Sequence, residues 1–304
     1  MSTRYHIIEF PSNLGLKEPA PGVEPGVRNL PDWLRQWGFQ EALQVADPVN
    51  VQAPPYSMLM HTFSGIRNAP AIASYAQKQA EALQPLLEKP GKILAIGGDC
   101  SILTGIGLAL KQHGNYGLFT IDGHTDFMPA SFSGTGGAAG MDLSIVTGHA
   151  DDILANINNL GPYFSEENVC CAGNREMDTR YVDFIRQSRI RYIDLFEMRR
   201  LDAARVCCDW LQRIQQQQLD GFWLHLDVDV LDPRWMPAVD SPDPGGLSYD
   251  ELGKWLSPLL ASPMLTGLDI TILDPCLDIS GDVTRRFIKE MLPLLQAPSG
   301  CQQS

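Results

Sequence analysis

The chain reads as an α/β protein of three layers, a mainly parallel sheet with helices on both faces. Three features predict this. Short apolar runs alternate with longer helical patterns along the chain, the rhythm of a sheet whose crossovers are helices. Apolar residues make up 44% of the 304, enough for a sizeable core. Acidic clusters follow directly on three of the apolar runs, at the strand ends where open α/β sheets form ligand crevices.

The apolar runs predict strands over residues 5–10, 92–96, 117–121, 168–172, 191–194, 222–228 and 265–270. Helical periodicity covers 69–88, 181–187, 200–217, 249–261 and 282–295. Ser248 and Glu251, three apart, form the signature of a capping box at the start of the helix over 249–261. Pro90-Gly91 closes the first long helix before the next strand. Two stretches break the rhythm. Residues 11–31 are rich in proline and glycine, and 127–140 are rich in glycine, alanine and serine. The second follows a strand end, so an active-site loop is the preferred reading over a flexible linker. One domain over 1–304 is expected, because no second domain follows that loop.

Composition removes several functions. A net charge of -13 argues against a nucleic-acid partner, since phosphate binding needs a basic face. No apolar run nears the roughly 20 residues of a membrane span, and Met1 to Phe10 do not resemble a signal peptide. The seven cysteines, Cys100, Cys170, Cys171, Cys207, Cys208, Cys276 and Cys301, include two adjacent pairs and no C-x-x-C. They fit neither a disulfide framework nor a zinc ribbon, and reduced thiols in a cytoplasm are the simplest reading.

The strand-end clusters are Gly97-Gly98-Asp99-Cys100-Ser101, Asp122-Gly123-His124-Thr125-Asp126 and Asp227-Val228-Asp229-Val230-Leu231-Asp232-Pro233. On an extended chain, alternation by two puts Asp227 and Asp229 on one side, and Asp122, His124 and Asp126 likewise. Buried paired carboxylates repel and lose hydration, at a cost of several kcal/mol unless a cation compensates. Oxygen-rich pockets of this kind suit hard divalent ions such as Mn²⁺.

These motifs, in this order, resemble those of the ureohydrolase superfamily, whose members include arginases, agmatinases, guanidinobutyrases and formimidoylglutamases. Its patterns G-G-D-H-S, D-A-H-x-D and S-x-D-x-D-x-x-D-P correspond here to GGDCS, DGHTD and HLDVDVLDP. Residues 22–28 resemble its N-terminal segment, residues 241–247 its T-P-x-P-G-G-L, and Gly267-Leu268-Asp269-Ile270 its last core strand. The resemblance implies the arginase-like fold and a small-molecule substrate. It implies two manganese ions, one held by Cys100, Asp122, Asp126 and Asp227, the other by Asp122, His124, Asp227 and Asp229. It also implies a hydroxide that attacks an amidino carbon, Asp126 as a proton relay, and a homo-oligomer, a trimer or hexamer.

Departures from the pattern redirect the expectation. Cys100 stands where the family usually has a histidine, which puts a thiolate in the set if it coordinates. That shifts preference toward Zn²⁺ or Fe²⁺, with Co²⁺ and Ni²⁺ further options. The branch acting on N-hydroxyarginine is similar at this cysteine, at Asp122-Gly123-His124 and at Gly140-Met141. Ala139-Gly140 occupies the arginase H-G position, so the proton-shuttling histidine is missing; Asp142 either takes that catalytic role or is a solvated loop residue. Ile272 stands where a glutamate pairs the substrate guanidinium, a loss worth about 2–5 kcal/mol in a buried site. Met128, Ser133 and Thr135 fall at the family's α-carboxylate clamp, and Asp178 at its α-amino contact or, equally, at a helix N-terminus. His225 reads as a hydrogen-bonded core histidine. The expected function is hydrolysis of a linear C–N bond in an amidine, hydroxyguanidine or guanidine-derived substrate. A catalytically inactive scaffold or regulatory subunit is the alternative.

Overall fold

The computed structural model describes residues 5–45 and 47–297, so the readings for Met1 to Arg4 and for Cys301 lie outside the described residues. Eight strands form one sheet: β1 (Tyr5–Glu9), β2 (Val49–Asn50), β3 (Lys92–Ile96), β4 (Tyr116–Ile121), β5 (Val169–Ala172), β6 (Arg191–Ile193), β7 (Gly221–Asp227) and β8 (Leu265–Thr271). Their order is β2-β1-β3-β8-β7-β4-β5-β6 and all pairings are parallel. The chain builds one flank with β1 to β3 and the other with β4 to β6. It then returns to insert β7 and β8 between them. The three acidic motifs thus end β3, β7 and β4, which with β8 are the four central strands of the sheet.

Alternation along each strand sends side chains to two separate cores. On one face Leu94, Ile96, Phe119, Leu224 and Leu268 pack with Trp210, Leu256 and Phe287 from the helices Ala203–Gln216, Tyr249–Ala261 and Asp282–Leu295. On the other, Ile93, Ala95, Leu118 and Trp223 pack with Ile72 and Leu83 of Ala69–Leu87 and with Ile106 of Leu103–His113. The central strands β3, β4 and β7 are buried over their whole length, as expected of a sheet covered on both sides.

The seven predicted strands and the helix ends at 249–261 and 282–295 agree with the structure to within a residue or two. The capping box is present, with Ser248 Oγ accepting from Glu251 N (3.2 Å) and Glu251 Oε2 accepting from Ser248 N (2.8 Å). The helix expected over 200–217 is Ala203–Gln216, which starts where Asp202 caps it by accepting from Arg205 N (3.2 Å); Arg200 instead ends the preceding helix Leu195–Arg200. The helix Leu103–His113 was not predicted. All of Leu103 to Leu110 is buried, so no polar face marks the helical period.

A tight backbone approach locks the motif after β3 to the N-terminal loop. A Cβ on Gly98 would stand 1.7 Å from Ser12 O. Asp99 N donates to that oxygen (3.2 Å) and Ser12 Oγ donates to Asp99 Oδ2 (2.9 Å). Gly98→Ala must push two backbones apart, and an overpacked site of this kind loses about 1–3 kcal/mol. The urea midpoint should fall accordingly; an unchanged midpoint would show that the loop yields freely.

Candidate metal centre and active-site cleft

Each acidic motif begins as a strand stops, and its first aspartate turns the chain. Asp99 accepts from Ser101 N (2.9 Å), Asp122 from His124 N (2.7 Å) and Asp227 from Asp229 N (2.8 Å). These side-chain-to-backbone bonds are the reason aspartate suits such turns. They correct the extended geometry expected from sequence: β4 stops at Ile121, β7 stops at Asp227, and Val228–Val230 is a 3₁₀ turn. The aspartates converge because the chain turns at the strand ends, not by alternation.

The convergence is close. Strands β4 and β7 pair with Thr120 opposite His225 and Ile121 opposite Leu226, which sets Asp122 and Asp227 at neighbouring tips. Donor atoms of Asp122, His124 and Asp229 lie within 4.8 Å of one another, and so do those of Cys100, Asp142 and His225. His124 Nδ1 is 3.0 Å from Asp229 Oδ2, and Cys100 Sγ donates to Asp227 Oδ2 (2.9 Å) and meets Thr271 Oγ1 (3.1 Å). Cys100, Asp122, Asp126, Asp227 and Asp229 are all buried, whereas His124 is partly exposed at the rim. Arg175 Nη2 donates to the backbone oxygens of Asp229 and Asp243 (2.8 Å each), pinning the far side of the cluster.

Burial first, then neighbouring carboxylates, push Asp122, Asp126, Asp142 and Asp227 well above the usual carboxylate range. Burial works to lower His124, yet Asp229 and Asp122 outweigh it and hold the imidazole up to about 11. Burial likewise opposes ionisation of Asp229, but His124 and then Arg175 bring it below its ordinary value. A cluster of this sign and depth calls for positive charge, because attraction grows as water is excluded. Oxygen, imidazole and thiol donors together fit a divalent cation, and their chemistry spans Mn²⁺ to Zn²⁺.

A cleft of about 220 Å³ opens over the cluster, lined by Cys100, His124, Asp126, Asp227 and Asp229 at its floor. The rest of its lining includes the apolar Leu16, Met128, Ala139 and Ile272 and the polar Glu176, Tyr181, Asp240 and Ser241. Burial, and then Asp229, push Asp240 up to about 6. Two residues of the site hold uncommon backbone conformations, Asp126 at φ 44° and Ile272 at φ 75°. Positive φ in a β-branched residue is costly and persists only where the surroundings enforce it. The bond from Ile272 N to Gly98 O (2.8 Å) is part of that enforcement.

The remaining predicted residues lie elsewhere. Ser133 and Thr135 face each other (3.4 Å) and accept from Gly136 N and Gly137 N in the loop, outside the residues that line the cleft. Asp178 caps the helix Thr179–Gln187, accepting from Arg180 N (3.0 Å) and pairing with the Arg180 side chain. Asp142 is not a solvated loop residue: it is 1% exposed in the first turn of Asp142–Val146, beneath the cleft. His225 is the buried, hydrogen-bonded histidine expected, with Nδ1 2.6 Å from Asp269 Oδ2. Its other nitrogen has no hydrogen-bond partner, which spacing along one strand does not reveal. Tyr181, Asp240 and Leu16 were not predicted as site residues; they come from separate loops and a helix start and carry no shared motif.

Known proteins agree with this architecture. The Arginase family model matches residues 6–294. Arginase of Bacillus caldovelox is 31% identical over 217 residues, 71% of this chain and 72% of that protein. Arginase of Staphylococcus aureus strain MRSA252 is 28% identical over 280 residues, 90% of each chain. The crystal structure of the Bacillus caldovelox arginase superposes with a TM-score of 0.85 at 27% identity, covering 97% of this chain and 99% of that one. With the family's strand-end acidic motifs in their order and its sheet in full, this chain belongs to the arginase family.

Proposed function

We propose that this protein is a two-metal hydrolase that cleaves a linear C–N bond in a small amidine, hydroxyguanidine or guanidine-derived molecule. The observation that carries the reading is the gathering of Cys100, His124, Asp126, Asp227 and Asp229 at the floor of one cleft, with Asp122 within ligand distance of His124 and Asp229. Cys100, Asp122, Asp126 and Asp227 would hold one ion, and Asp122, His124, Asp227 and Asp229 the other. Bound there, such ions would acidify a water molecule and polarise the carbon to be attacked.

The chain's own groups supply orientation and proton handling. Asp126 lines the cleft floor on a constrained backbone, and its carboxylate can take a proton for the leaving nitrogen. Leu16, Met128, Ala139 and Ile272 give the cleft an apolar part of its lining, and Glu176 and Asp240 add carboxylates to it. A substrate with a small polar head and a weakly basic amidino group matches this mixed lining. A homo-oligomer, trimer or hexamer, belongs to the same reading and rests on the family resemblance.

The metal reading makes a pH prediction. In the metal-free protein Asp122, Asp126 and Asp227 have folded pKa values raised by burial and by one another. Their stabilisation is fully present below the ordinary carboxylate value of about 4 and is lost as pH rises through the raised values. With chelator, the melting temperature should fall steadily from about pH 4 to 8; with Mn²⁺ or Zn²⁺ the slope should flatten, since the cation replaces the protons. Identical melts at pH 8 with and without metal would sink the proposal.

Ile272→Glu restores a carboxylate to the cleft wall. It should raise kcat/KM for a fully charged guanidinium substrate by about thirtyfold or more relative to a hydroxyguanidine, the lower end of what a buried charge partner is worth. Steady-state kinetics on a matched pair of substrates measures this. No change in their ratio would mean that Glu176 or Asp240 already carries the pairing.

A further inference from the structure

Beside the aspartate cluster lies a second group of donors that the proposed ligand sets leave unused. His225, on β7, is 0% exposed, and Asp142, at the start of its helix, is 1% exposed. Both lie with Cys100, which is also 1% exposed, such that one donor atom of each falls within 4.8 Å of the others. The sites therefore share a wall: Cys100 Sγ reaches Asp227 Oδ2 on one side and faces His225 and Asp142 on the other.

The imidazole is prepared in one orientation. Asp269 on β8 is held by Trp223 Nε1, which donates to its Oδ1 (2.6 Å), and its Oδ2 lies 2.6 Å from His225 Nδ1. A carboxylate accepts, so Nδ1 carries a hydrogen and Nε2 is the ring atom turned toward Cys100 and Asp142, free to coordinate once it gives up any proton. Histidines that ligate metals are commonly backed in this way, by a carboxylate on the other ring nitrogen. The register supports it, since His225 and Asp269 are directly paired across β7 and β8.

What faces Nε2 is unfinished. Its nearest carboxylate oxygen, Asp142 Oδ2, is 3.5 Å away, and neither atom makes a hydrogen bond. A direct imidazole-to-carboxylate bond would draw them closer; a cation seated between them satisfies both and adds the sulfur. Leaving two polar atoms without partners at this depth is costly, and such atoms call for a particular occupant.

We propose that His225 Nε2 and Asp142 join Cys100 Sγ as ligands of one of the two divalent ions, giving it a nitrogen–sulfur–oxygen set. This rests on the two-metal reading above and changes which residues hold one ion and which metal it selects. A thiolate and an imidazole on one ion favour Zn²⁺, Co²⁺ or Fe²⁺ there, whereas Mn²⁺ prefers the oxygen-rich partner position.

The test uses the full chain, stripped with chelator and reloaded with Zn²⁺ or Co²⁺. Zinc-edge X-ray absorption on the wild-type protein should find one sulfur and two imidazoles, those of His124 and His225, shared between two ions. His225→Gln should remove one imidazole and weaken one of the two ions by more than about a hundredfold, beyond the range that loss of a supporting residue alone produces. Cys100→Ser should abolish the sulfur-to-cobalt charge-transfer band, and Asp142→Asn, nearly isosteric, should weaken the same ion as His225→Gln. A wild-type spectrum with a single imidazole overturns the proposal whether or not the variants fold. Two bound ions with unchanged affinity in both His225→Gln and Asp142→Asn overturn it as well, leaving the two-metal reading intact. A wild-type chain that takes up no ion overturns both.

Discussion

The whole site depends on holding like charges together where water cannot reach them. The ladder between β4 and β7 brings Asp122 and Asp227 to adjacent tips, and the turns that follow fold Asp126 and Asp229 back onto them. Carboxylates so placed repel, and burial removes the hydration that would otherwise relieve them. The fold lowers part of the cost locally: one oxygen each of Asp122 and Asp227 accepts from a backbone amide, and Asp229 lies against His124. Cys100 Sγ and Gly123 N donate to Asp227 Oδ2 and Asp229 Oδ1 as well, and the negative charge these bonds leave unmatched calls for a cation.

That demand explains the rigidity around the cluster. Gly98 lets the loop after β3 press on Ser12, Arg175 ties the backbones of Asp229 and Asp243, and Trp223 fixes Asp269 beneath His225. The positive φ values at Asp126 and Ile272 belong to the same frame. Donors fixed before a cation arrives do not have to be ordered when it binds, which is how preorganised sites gain affinity and geometric selectivity.

Around the donors the cleft lining is mixed: Leu16, Met128, Ala139 and Ile272 are apolar, while Glu176, Asp240, Ser241 and Tyr181 are polar. On a scaffold that serves several chemistries, lining residues of this kind tune what binds while the donor cluster carries the reaction.

Much of this was legible in the sequence, because the strands are apolar runs that stop at aspartates. Periodicity identified β3, β4, β7 and β8, and the order of the acidic motifs identified the family. The helix Leu103–His113 was not legible, since burial on all sides erases the polar face that marks helical spacing. The turn at each strand end was misread as extended chain, because a capping aspartate and an extended one look alike in a string of letters. Position 142 was ambiguous for the same reason: only packing decides whether a loop aspartate meets solvent or lies buried. What the sequence by itself determined is the sheet, the strand-end donors and the kind of chemistry, all set by local pattern. What only the tertiary structure decided is which donors meet, since Cys100, Asp142 and His225 come from three segments that become neighbours only when β7 is inserted between the flanks built earlier in the chain.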